Sequence, residues 1–433
     1  MTAAAARLAV DGGTPVRSTP LPTGFIGTRL LGEEEKAEVL AVLDAHALSR
    51  VSGMTPPTRV EQFERALCER TASRYALAVT SGTAALEVAL AGLGIGPGDE
   101  VILPALNFIS SPEAVLRLGA IPVFAEVDAG YGLDPDEIAR LVTPRTRAVM
   151  PLHVHGAACR IDAVVSEARR HGLLVLENGA WSCGASFRGQ AVCTFGDAGI
   201  HSLQSVKVIT AGEGGVVLTG DPLVYERAFR YHDHGNLRLA AIPHSLADPD
   251  GPSSEPQLEP FVGAAFRMNE LTGAVALAQL RKLDSLLDLT RRAHRAILAA
   301  LRDLLPGAPF SLRDVPDPDG DCGIAVGLTF RNLDTAQRFQ AALRAEGVPL
   351  SSLYGARPVY ALPQLRSLRP AWTSGAPLLR DHPTIDTRDG LCPRTADLMA
   401  RTLLLSVTPA YTDQDAADAS AAFAKVTSHL SRS

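Results

Sequence analysis

Apolar positions recur at helical spacing over residues 33–48 and 60–70, and the first short apolar run without that period is 76–79. Helical patterns at 84–93, 112–118 and 163–171 then alternate with strand-like runs at 100–103, 122–127, 148–152 and 173–176. Alternation of this kind predicts an α/β fold, with βαβ units around a mostly parallel central sheet. The stretches 101–103 and 173–176 are apolar at every position, the pattern of strands covered by helices on both faces. Open α/β sheets bind ligands beyond the carboxyl ends of their strands, so chemistry is expected just after these runs.

Upstream, residues 1–24 carry Gly12, Gly13, Pro15, Pro20 and Pro22, which break regular elements and predict an irregular N-terminal arm. Downstream, 271–301 reads as a long or broken helix, and 322–330 and 348–350 read as strands of a smaller C-terminal α+β unit. The chain has 433 residues, beyond the roughly 250–300 at which a single core stops growing. The expected division is therefore an arm over 1–24, a large domain over 25–285 and a small domain over 286–433.

Composition narrows the function classes. With 46% hydrophobic and 20% charged residues the chain reads as a packed globular protein. A net charge of -6 offers no basic field for a phosphate backbone, so nucleic acid is not an expected partner. No apolar run approaches the roughly 18–20 residues of a membrane span, and a cytoplasmic setting is expected. The six cysteines are scattered without a Cys-x-x-Cys pair, and His232-Asp233-His234 lacks a third ligand nearby, so reduced thiols and no metal site are expected.

Two segments carry candidate chemistry. Ser81-Gly82-Thr83 joins the run 76–79 to the helical pattern at 84–93. It offers an anion free N–H groups and a helix dipole, although a plain N-cap with a turn glycine has the same sequence. Lys207 stands amid small polar residues from His201 to Ser205 and before the glycine-rich Gly212-Glu213-Gly214-Gly215. Partial desolvation there lowers an amine's pKa and makes it a nucleophile for an aldehyde, whereas a surface lysine beside a turn is the bland alternative.

Together these residues resemble the DegT/DnrJ/EryC1/StrS sugar aminotransferases, within the fold type I enzymes that use pyridoxal 5'-phosphate (PLP). The similarity runs from Gly12-Gly13-Thr14-Pro15 to Cys392-Pro393. Asn107-Phe108-Ile109-Ser110-Ser111 and Arg267-Met268-Asn269-Glu270 look closest to the glutamine:scyllo-inosose aminotransferase and 3-amino-5-hydroxybenzoate synthase branches. The resemblance implies a Schiff base on Lys207 and a phosphate held by Ser81, Gly82, Thr83 and Ser202. It also implies that Phe108 stacks on the pyridine ring and that a homodimer has its active site at the interface.

The chain departs from that family at cofactor-contact positions. Asn178 stands where the family has an Asp for the pyridine nitrogen, and Trp181 where it has Gln or His. Ala265 replaces an Asn reaching the partner's phosphate, and Thr408 a common His. Of the remaining polar residues, His153 is a candidate for substrate contact, Arg267 for a donor carboxylate or equally for an interface salt bridge, His155 for a structural or rim role, and Tyr354, Tyr360 and Tyr411 for packing or, as the lesser alternative, the acceptor pocket. Glu177 should face away from Asn178 across the strand. The simplest implied activity moves an amino group from glutamine or glutamate to a keto sugar or keto cyclitol. Asn178 leaves open retuned PLP chemistry such as elimination, dehydration or cyclisation, and a non-catalytic subunit is a third reading.

Overall fold

The structure, a computed structural model, describes residues 7–50, 58–235, 258–371, 373 and 385–430. In chain order the larger body forms β1 (Tyr75–Val79), β2 (Glu100–Pro104), β3 (Ile121–Ala125), β4 (Thr146–Val149) and β5 (Leu174–Asn178). A hairpin of β6 (Ser186–Phe187) and β7 (Gln190–Ala191) follows, and then β8 (Ala198–Ser202) and β9 (Gly215–Thr219). Seven of these make one sheet in the order β1-β9-β8-β5-β4-β2-β3. Only β9 runs antiparallel to its neighbours, and it does so to β1 and β8 alike.

Period-two alternation sorts the sheet's side chains between two layers. Leu77, Val79 and Val217 join the core under helices Gly82–Gly92, Ser110–Arg117 and Pro222–His232. Ala76, Ala78, Val216 and Leu218 join the opposite core with helices Arg59–Thr71 and Glu270–Arg281. Both faces are therefore buried, which is why these strands are apolar at consecutive positions. Helix Glu270–Arg281 gives way at Lys282 to helix Leu283–Leu304, as the 271–301 pattern predicts. The second helix links the cores: Leu283, Leu286 and Leu287 pack below the large sheet, and Ala293, Ile297 and Leu301 against the small one.

The small sheet comprises β10 (Phe310–Leu312), β11 (Ala325–Phe330), β12 (Ser351–Ser352) and β13 (Thr402–Ser406), all antiparallel in the order β10-β11-β13-β12. Two strand expectations need correction. The predicted strand 348–350 does not pair; pairing begins at Ser351, after the left-handed Gly347 and after Pro349, which has no N–H to give a ladder. The predicted 322–330 strand starts only at Ala325 because Gly323 turns at φ 69°. The entry segment is docked on this small core through Leu8 and Leu21. Glu346 there accepts from the backbone N–H groups of Ala9 and Val16, at 2.8 and 2.9 Å.

Candidate active site

A cavity of about 630 Å³ opens at the carboxyl ends of β5 and β8 and beside the helix that follows β1. Ser81 caps that helix, its Oγ accepting the Ala84 N–H at 3.0 Å. The first helical N–H groups, those of Gly82 and Thr83, have no intrahelical acceptor and are free to receive an anion, with the dipole behind them. Gly82 is required by contact: a Cβ there would lie 2.7 Å from Ser202 Cβ and 2.8 Å from its Oγ. The serine hydroxyl thus sits against the helix N-terminus, and the cradle fits a phosphate ester through N–H groups, dipole and hydroxyls.

Lys207 lies in the turn after β8, its N–H donating to the Gln204 carbonyl at 2.9 Å and its carbonyl accepting from Gly27 at 3.0 Å. Burial pushes its ammonium down from the ordinary 10.5 to about 7, close to neutrality. No carboxylate pairs with it among the described residues. Its Nζ instead stands 3.5 Å from the centroid of the Trp181 ring.

Asn178, the last residue of β5, is held at both ends of its amide. Its Nδ2 donates to Ser111 Oγ at 3.0 Å, and its Oδ1 accepts the Ala180 N–H at 3.1 Å. The Ser111 hydroxyl in turn donates to Asn107 Oδ1 at 2.7 Å. The amide presents no charge to the cavity. Glu177 faces the other way, buried, and accepts backbone N–H bonds from Cys193, Phe195 and Gly196 at 2.8, 2.6 and 2.8 Å.

The two histidines near β4 exchange the roles expected of them. His153 is fully buried against Glu177, with 2.9 Å between Nε2 and Oε2, and its Nδ1 accepts from the Cys159 N–H. It does not line the cavity, which corrects its assignment to substrate. His155 lines the cavity and stacks on Trp181 with ring centroids 4.7 Å apart. The cause is local backbone: β4 ends at Val149, so strand alternation no longer governs these residues, and His155 takes a left-handed φ of 44°. Burial pushes its imidazole down to about 3, so the ring is neutral.

Of the two roles expected for Arg267 the structure shows an ion pair, with Asp233 of the same chain, and the residue is absent from the cavity wall. Phe108 lines the mouth and is 59% exposed. Ala265 bridges by backbone to Asp233, and Thr408 is buried. Sequence reasoning did not single out Asn107 and Ser111 as a polar relay, though their four-residue spacing is a usable signal. It also missed Ser351, Ser352 and Leu404, and it left Tyr354 mainly to packing; all four line the cavity from the side of the small sheet.

The mostly parallel sheet with one reversed strand, the phosphate cradle and the buried lysine at the strand ends define a PLP-dependent enzyme of fold type I. The profile of the DegT/DnrJ/EryC1/StrS aminotransferase family matches residues 30–423. The chain belongs to that family, and its cofactor is PLP. Among relatives, GDP-perosamine synthase of Caulobacter vibrioides is 35% identical over 265 residues, 61% of this chain and 66% of that protein, just short of two thirds of its length. The crystal structure of 3-amino-5-hydroxybenzoic acid synthase superposes with a TM-score of 0.77 at 27% identity, covering 96% of this chain and 100% of that one. DesV of S. venezuelae superposes at 0.74 with 28% identity, covering 91% and 94%.

Proposed function

We propose that the chain is an aminotransferase that takes nitrogen from glutamine or glutamate and delivers it to the ketone of a sugar or cyclitol ring. The observation that carries this reading is Lys207, an amine held near neutrality at about 7 in the same cavity as the Ser81-Gly82-Thr83 cradle. PLP supplies an aldehyde that carries the amino group and a ring that draws electrons from the reacting carbon. Gly82, Thr83, Ser81 and Ser202 hold the phosphate, and Phe108 covers the ring. Asn178, fixed by Ser111 and Ala180, orients a neutral amide toward the cofactor. Lys207 Nζ is poised to take a proton from carbon and return it, because its pKa lies near working pH. Leu86, Leu152 and Leu404 give the same cavity apolar walls.

A similarity to GDP-perosamine synthase supports an amino-sugar product. Exposed Phe25, Leu31, Leu40, Leu43 and Leu48 support a homodimer that covers this apolar surface. Six unpaired cysteines suit a cytoplasmic setting. A second reading, elimination or dehydration on PLP, is favoured by the uncharged Asn178. Incubating the PLP-loaded protein with glutamine separates the two: pyridoxamine phosphate and the oxo acid are expected. An unchanged cofactor with loss of water or ammonia from an amino substrate would replace transamination by the second reading.

A further inference from the structure

Lys207 is half-buried and has no anionic partner among the described residues, yet its position is defined. Among the described residues no carboxylate lies within ion-pair distance of Nζ, and the indole of Trp181 faces it, 3.5 Å from Nζ to ring centroid. A cation within about 6 Å of a tryptophan centroid is attracted by the negative face of the ring, most strongly where water is excluded. Trp181 is itself braced. The His155 ring lies 4.7 Å from it at an interplanar angle of 38°, and the Tyr354 ring lies 5.8 Å from His155. His155 and Tyr354 are both held at left-handed φ, 44° and 45°, conformations that persist in non-glycine residues only when their surroundings impose them. Three rings from three separate segments therefore form one wall beside the reacting amine.

We infer that Trp181 is a positioning residue for Lys207: its indole face holds the ε-ammonium in place, and so sets how readily that nitrogen releases its proton. The inference rests on Lys207 being the reacting amine. The other titratable groups lining the cavity are His155, Glu213 and Tyr354. His155 is neutral, its proton discouraged by burial and also by Arg313 and Lys207. Glu213 is exposed, and burial is the one influence that shifts Lys207. Burial favours the neutral amine, whereas the ring face favours the ammonium. An apolar replacement that keeps the cavity wall closed removes the ring face and leaves burial unopposed.

The test follows the free amine in protein reconstituted with pyridoxamine phosphate, by trace acetylation of Lys207 against pH read by mass spectrometry. Trp181→Leu should lower the midpoint by about one pH unit, and Trp181→Phe, with a smaller ring face, by about half as much. If Trp181→Leu does not fold, the shift in Trp181→Phe decides alone. Midpoints equal to that of the unaltered protein overturn the inference. Borohydride fixation of PLP onto Lys207 in the same proteins separates the two levels. Fixation without a midpoint shift removes only the role of Trp181, and absence of fixation in the unaltered protein removes the reading of Lys207 on which it rests.

Discussion

Gly82→Ala is the most direct probe of the phosphate cradle. The new methyl carbon would stand 2.7 Å from Ser202 Cβ and 2.8 Å from Oγ, where carbon atoms settle at about 3.5–4.0 Å, so the two segments must part by about 1 Å. Ser202 has little room to yield. It ends β8 in register with Gly215 of β9, and Gly215 is pressed so closely on Ser81 that a Cβ there would meet the Ser81 carbonyl oxygen at 2.4 Å. Overpacking of this kind costs about 1–3 kcal/mol. If that strain falls on the cofactor-bound geometry, PLP should dissociate about five- to 150-fold more readily. Titration of PLP absorbance measures the affinity, and circular dichroism checks that the helix survives. Unchanged affinity in a folded Gly82→Ala protein would show that this turn does not hold the phosphate.

Further outcomes follow from buried charge. Lys207→Met should abolish borohydride-fixable PLP. Since the folded chain holds that amine at about 7 and the unfolded one at 10.5, the cofactor-free protein should gain stability as pH rises through this window, a gain that Lys207→Met removes in urea titrations. His155, His201 and His232 are pushed from 6.5 down to about 3, 4 and 3, chiefly by burial. Each takes up a proton only on unfolding, so stability should fall below pH 6.5 by up to about 1.4 kcal/mol per pH unit per histidine. Equal urea midpoints at pH 7 and pH 5 would contradict this. Glu64→Gln strips Arg50 of its two-pronged carboxylate partner, with bonds of 2.7 and 2.8 Å in a buried site, and should cost about 3–5 kcal/mol in chemical denaturation. A loss below about 1 kcal/mol would mean that Arg50 finds other compensation.

The sheet and its lysine were legible for local reasons. Consecutive apolar residues at 101–103 and 173–176 mark strands buried on both faces, and β2 and β5 lie there. Lys207 stood out because charge is rare among small polar residues next to a glycine turn. His153 was expected at the substrate and His155 in a structural or rim role; the chain leaves β4 at Val149 and turns left-handed at His155, which brings His155 and not His153 to the cavity. The strand at 348–350 failed on Pro349, a residue whose missing donor outweighs its apolar neighbours. Ser351, Tyr354 and Leu404 reach the cavity only through tertiary packing of the small domain, and no short-range pattern announces that.

The same packing gives the enclosure two owners. The anchoring amine and the anion cradle stand on one lobe, while Ser351, Ser352, Tyr354 and Leu404 lean in from the other. Under the proposed activity, an exchange confined to the 351–354 segment would retailor which acceptor is admitted while the anchor remains untouched. Descendants of such a protein have a ready route to new acceptors through their carboxyl-terminal lobe.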